Sequence, residues 1–214
     1  WNWLDEPADS PRRKQEGVYH AQSFGPVGKR VQVILLDTRY FRSALKKTTK
    51  DKAMLGGTSV PTDDESTTIL GAAQWRWLEK VLQEPAELRI IVSSIQFAPE
   101  AHGGESWANF PHEQRRMLSL LEGHKAVILS GDRHWCEFSH DGVFDFTSSS
   151  MTQKHPRGTP TLNKHRLIPK TYHLPNVGHL SIDWEAATLT AKVIAEDGEA
   201  KITHQAAFSD LLVR

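Results

Sequence analysis

Ala126-Val127-Ile128-Leu129-Ser130-Gly131-Asp132-Arg133-His134-Trp135 joins an apolar run to a glycine turn, and the reading of this junction decides the fold. Four apolar residues in succession read as a short strand buried on both faces, of the kind that parallel sheets use. A carboxylate and an imidazole one residue apart follow at once, at the carboxyl end of that strand, where open α/β sheets place their chemistry. Asp132 and His134 are hard or borderline donors suited to zinc, iron, manganese or calcium, and a bend at Gly131 lets their side chains converge. The plainer alternative is a turn in which Asp132 bonds nearby amides and His134 packs beside Trp135. Two ligands cannot hold two metals, so the remaining donors have to come from elsewhere.

Upstream, Leu88 to Phe97 reads as the neighbouring buried strand, and Val31 to Asp37 as a strand inside the sheet, preceded by a strand within Gly17 to Phe24. Gly71 to Glu84 carries Trp75, Leu78, Val81 and Leu82 at helical spacing and is stopped by Pro85. Pro111 suits the first turn of a second helix, whose apolar side is Met117, Leu118 and Leu121. The resulting strand-helix-strand-helix-strand order is an α/β pattern. Residues 43–66, rich in Lys, Thr, Asp and Gly, read as a long surface excursion. Downstream, Asp141-Gly142 marks a hairpin between Cys136–Ser139 and Val143–Phe146. Residues 151–176 read as loop, and strands around 178–184, 188–194 and 200–208 as a closing antiparallel meander. A single domain over 1–214 is expected, with 1–16 as lead-in loop, 17–150 as the α/β part and 151–214 as loop and closing strands.

Composition narrows the function. With 214 residues and 38% hydrophobic content there is enough material for a sizeable core. No apolar run approaches the ~20 residues of a membrane-spanning helix. The 26 basic and 26 acidic residues cancel, which argues against affinity for nucleic acid through general phosphate neutralisation. The single cysteine, Cys136, excludes an intrachain disulfide framework. Neither a Gly-x-Ser-x-Gly elbow, a phosphate-cradling Gly-x-x-x-x-Gly-Lys nor a dinucleotide fingerprint occurs. A metal-assisted hydrolase is what remains. The start, Trp1-Asn2-Trp3-Leu4, has no initiator Met, and the chain is expected to begin inside a longer protein.

Other candidates cluster around the same strand ends. Gln96, with Ser93 and Ser94, is expected at the rim beside Asp132, as an oxygen-positioning group or else a satisfied strand-end amide. The loop above that rim carries Trp107 as a pocket wall or a loop clamp, and Asn109 as a contact. Arg133, between the two donors, is counted with the pocket. Arg39 and Arg42 suit phosphate geometry, although an Asp37–Arg39 ion pair bracing the strand end is at least as good a reading.

Four ordered segments carry a resemblance to a known family. Val33 to Arg42, Ser93 to Phe97, Trp107 to Pro111 with Glu113 and Arg115, and Leu129 to His134 resemble the PhoD-type alkaline phosphatases of the metallophosphoesterase superfamily, over most of residues 17–150. The resemblance implies a layered α/β/β/α sandwich that hydrolyses phosphomonoesters or phosphodiesters at strand-end metal ions, two in the complete site and divalent or trivalent. It carries metal binding to Asp132 and His134, and proximity to the pocket to Gln96, Trp107 and Asn109. It also implies a missing partner: the family's upstream half, which supplies most metal ligands, has no counterpart before Trp1, so the isolated chain is expected to be inactive. A secreted or periplasmic location is the family's implication. The alternative is a non-catalytic binding or structural module that keeps the fold without turnover; a nuclease is a weaker third reading, disfavoured by the zero net charge.

Overall fold

A computed structural model describes residues 5–54, 57–153 and 161–214. Its centre is a six-stranded sheet, in which apolar runs flanked by turns form β1 (His20–Phe24), β2 (Val31–Leu35), β3 (Leu88–Val92), β4 (Ala126–Ser130), β5 (Cys136–His140) and β6 (Phe144–Ser148). The order across the sheet is β1-β2-β3-β4-β6-β5. The inner strands β2, β3, β4 and β6 run parallel, and β1 and β5 close the two edges antiparallel.

Helices α1 (Gly71–Val81) and α2 (Pro111–Leu121) lie on one face. Helical spacing puts Trp75, Leu78 and Val81 of α1, with Met117 and Leu121 of α2, against Ile34, Ile91 and Ile128 of the sheet. Because side chains alternate along a strand, the next residues point the other way. Ile90, Val127, Phe138 and Phe146 pack instead under a second sheet formed by β7 (Asn176–Asp183), β8 (Thr188–Ala195) and β9 (Ala200–Ala207), in the order β7-β8-β9. Its inward-facing residues include Leu189, Ala191, Val193 and Ile202. The fold is thus α/β with a closing antiparallel meander. Among the described residues it shows three successive layers: helices, sheet, sheet.

Two expectations are corrected. The strand expected from Leu88 to Phe97 ends at Val92. Ser93 Oγ donates to the Ile95 carbonyl at 2.6 Å, and Asp145 takes the amides of Phe97 and Ala98 at 2.7 and 3.0 Å, so the chain turns away and Gln96 leaves the sheet. The excursion over 43–66 is not merely surface in the part described: Ser59 and Thr62 are buried, their amides bonded to the carbonyls of Gly103 and Asn109.

Candidate functional site

At the end of β4 the backbone does something that L-residues avoid. Asp132 has φ +73° and His134 has φ +59°. This left-handed region is sterically costly for residues with a Cβ, by roughly 1–2 kcal/mol each, and such outliers concentrate where geometry serves a function. The result is that both side chains line the same cleft, while Arg133 between them turns elsewhere. Asp132 and His134 are exposed, and neither side chain makes a hydrogen bond or ion pair among the described residues. Only the His134 amide is held, by Ser149 Oγ at 3.1 Å.

The cleft encloses about 780 Å³ between the two sheets. Val33, Ile90, Val92 and Leu129 form its floor, and Val177 to Leu180 of β7 form part of its wall. His179 and Lys192, paired across β7 and β8, border the opening from the outer face of the second sheet, since their neighbours Leu180 and Ala191 face inward.

The other candidates lie away from the cleft wall. Trp107 is fully buried, donating from Nε1 to Ser93 Oγ at 3.1 Å and packing on Phe97 at 5.2 Å between ring centroids, as a loop clamp does. Asn109 is buried and accepts the Ser106 amide at 2.8 Å. Gln96 is buried and donates to Glu137 Oε1 at 2.7 Å and Thr147 Oγ1 at 3.0 Å. Arg133 stacks on Trp135, 4.4 Å from its ring centroid, and desolvation lowers its pKa. Burial and the Arg133 charge hold the neighbouring His102 down to about 4, so that imidazole is neutral near pH 7. Instead of the Asp37–Arg39 ion pair, Asp37 accepts the backbone amides of Val18, Arg39 and Tyr40 at 2.8–2.9 Å. The guanidinium groups of Arg39 and Arg42 both meet Glu105.

Beneath the Asp132–His134 turn lies a buried polar layer. Ser130 Oγ donates to Asp145 Oδ1 at 2.6 Å and meets Thr147 Oγ1 at 2.9 Å. Burial pushes Asp145 up to about 6 despite the hydrogen bonds it accepts from Ser130, Ala98 and Phe97. Glu137, fully buried, is neutralised by Arg166 Nε at 2.7 Å. This layer ties the β4 end to the loop after β3 and to β6, so the turn above it stands on a fixed base.

As a metal site the arrangement is a fragment. Asp132 and His134 present one oxygen and one nitrogen donor with no hydrogen-bond or ion-pair partner among the described residues, which fits a divalent cation. Among the described residues, no three His, Cys, Asp or Glu side chains converge to hold one.

Helices on one face of a mixed sheet and a second sheet on the other define a layered α/β protein. The family is PhoD-like phosphatase: its model matches residues 3–172 of the 214, and the chain belongs to it. Comparison with curated proteins finds no match. Membership supports a hydrolase acting on phosphate esters, in a family that is generally metal-dependent. No helix among the described residues is long and apolar enough to cross a membrane.

Proposed function

We propose that this chain is the portion of an alkaline phosphatase D type enzyme that contributes Asp132 and His134 to a metal centre whose remaining ligands lie in an upstream half outside residues 1–214. The single observation that carries this is the pair of left-handed residues opening two unpartnered donors into one cleft. Bound cations would supply charge stabilisation to the phosphoryl oxygens of a mono- or diester. The chain's own part is to hold the two donors on the strained turn, to brace that turn through Ser130 and Asp145, and to wall the cleft with apolar side chains that limit water. A protein of zero net charge then holds its anionic substrate locally, through the ions.

The isolated chain is expected to bind metal weakly and to release little p-nitrophenol from p-nitrophenyl phosphate. In a protein that includes the upstream half, His134→Ala and Asp132→Asn should each lower bound metal and cut the rate by about 100-fold or more. Wild-type metal content and rate in both variants would end the proposal. The absence of a three-ligand cluster among the described residues favours, as a second reading, a module that does not turn over substrate. Stoichiometric metal, lost on His134→Ala, separates the two. Export to the periplasm or medium is proposed on family grounds alone, and cell fractionation tests it.

A further inference from the structure

Arg133 stands between two residues whose backbone is left-handed, Asp132 at φ +73° and His134 at φ +59°. Steric repulsion drives residues with a Cβ out of that region, so a turn of this kind persists only where its surroundings fix it. The His134 amide has one such hold, on Ser149 Oγ. The side chains of Asp132 and His134 supply no other, being exposed and without a hydrogen bond among the described residues.

The side chain between them is held on two sides. Its guanidinium carbon lies 4.4 Å from the ring centroid of Trp135, which is buried. Its end meets the loop over 100–106: a Cβ on Gly104 would stand 3.0 Å from Arg133 Nη1 and 2.9 Å from the His102 ring, so both groups pack where glycine leaves room. That loop is itself anchored. The Gly103 carbonyl accepts the Ser59 amide at 2.8 Å, Glu105 meets Arg39 and Arg42, and buried His102 accepts the Gly104 amide at 3.2 Å. Arg133 makes no hydrogen bond or ion pair among the described residues, and its buried Nε has no acceptor. A donor left so is costly, so hydrogen bonding does not explain where this side chain lies. Its fit between ring and glycine does.

We infer that Arg133 is a positioning residue: laid over Trp135 and stopped by the Gly104 backbone, it holds the Asp132–His134 turn in its left-handed form and so aims both donors into the cleft. That a cation is what they are aimed at rests on the proposed function; the hold on the turn does not. Lysine would keep the charge and lose the planar group that covers the ring. Arg133→Lys and Gly104→Ala therefore disturb one contact from its two sides.

The test uses the 214-residue chain. In the metal-free protein, the φ-dependent backbone couplings of Asp132 and His134 should leave their left-handed values in both variants, while the thermal midpoint of Arg133→Lys stays within about 2 °C of wild type. Broadening of the Asp132 and His134 resonances by Mn²⁺ alone should then need about tenfold more metal than in wild type, as for groups that orient a ligand without touching the ion. Ile91→Val, which trims the helix-side core, should lower the midpoint and leave the couplings and the Mn²⁺ response as they are. Wild-type couplings in Arg133→Lys overturn the inference. So do couplings that change as much in Ile91→Val as in Arg133→Lys, which would make Arg133 an ordinary packing residue. Altered couplings in the variants, with no Mn²⁺ broadening even in wild type, uphold the hold on the turn and count against the metal reading instead.

Discussion

Asp145 has no apparent role from its place in sequence, yet it is the side chain on which the site turn rests. Its carboxyl accepts from Ser130 and from the amides of Phe97 and Ala98, and the side chain is fully buried. Desolvation raises its pKa from 3.8 to about 6. A carboxyl whose folded pKa is raised binds its proton more tightly in the folded state than in the unfolded one. Its favourable contribution is complete below about pH 4 and is lost as pH rises through about 6. The lost stability is on the order of 2–3 kcal/mol. Asp145→Asn should therefore flatten the fall in melting temperature between pH 4 and 7, measured against wild type in the same buffers; parallel curves would contradict this. That Asp132 and His134 share one cleft was legible because a strand end and a glycine turn precede them. Gln96, Trp107 and Asn109 were read toward the pocket because their partners could not be seen: Glu137 and Thr147 lie 41 and 51 residues from Gln96.

Between elements, one carboxylate joins the two helices. Glu113 in the first turn of α2 accepts from Thr68 Oγ1, the amides of Ile69 and Leu70 and Trp75 Nε1, at 2.8–3.3 Å. It thereby gathers the start of α1 onto α2. Glu113→Gln turns one acceptor into a donor facing donors, and should cost about 2–3 kcal/mol in denaturant unfolding; a loss below about 0.5 kcal/mol would show that water replaces it. The start of α1 carries a second constraint. Gly71 has φ +70°, and a Cβ there would lie 2.9 Å from the Phe41 side chain, so Gly71→Ala should destabilise by at least about 1 kcal/mol. Helix and strand existence was readable from periods of 3.6 and 2, and the hairpin from Asp141-Gly142. That β6 runs parallel beside β4 was not readable, since a hairpin signal fixes the partner β5 and leaves the outer neighbour open.

For the whole molecule, one sheet serves two cores of unequal completeness. Ile91 faces the helices and is fully buried, while its chain neighbour Val92 faces the cleft and is half-buried. Ile91→Ala should cost about 2–5 kcal/mol, and Val92→Ala less than about 1.5 kcal/mol in the isolated chain. Equal losses at the two positions would mean that the cleft is closed in solution. The layered order was implied by family resemblance and is present here as three layers. The difference in width between the sheets was beyond reach from the sequence, because strand patterns report which face is apolar and not how much of it is covered.

The left-handed backbone at Asp132 and His134 also bears on how such a chain would drift. Glycine occupies that region without steric penalty, so replacement by glycine at either position relieves strain and is favoured by folding alone. A lineage released from its chemistry would be drawn toward glycine there within ordinary mutational reach. A carboxylate and an imidazole at those two positions thus cost folding free energy that glycine would not.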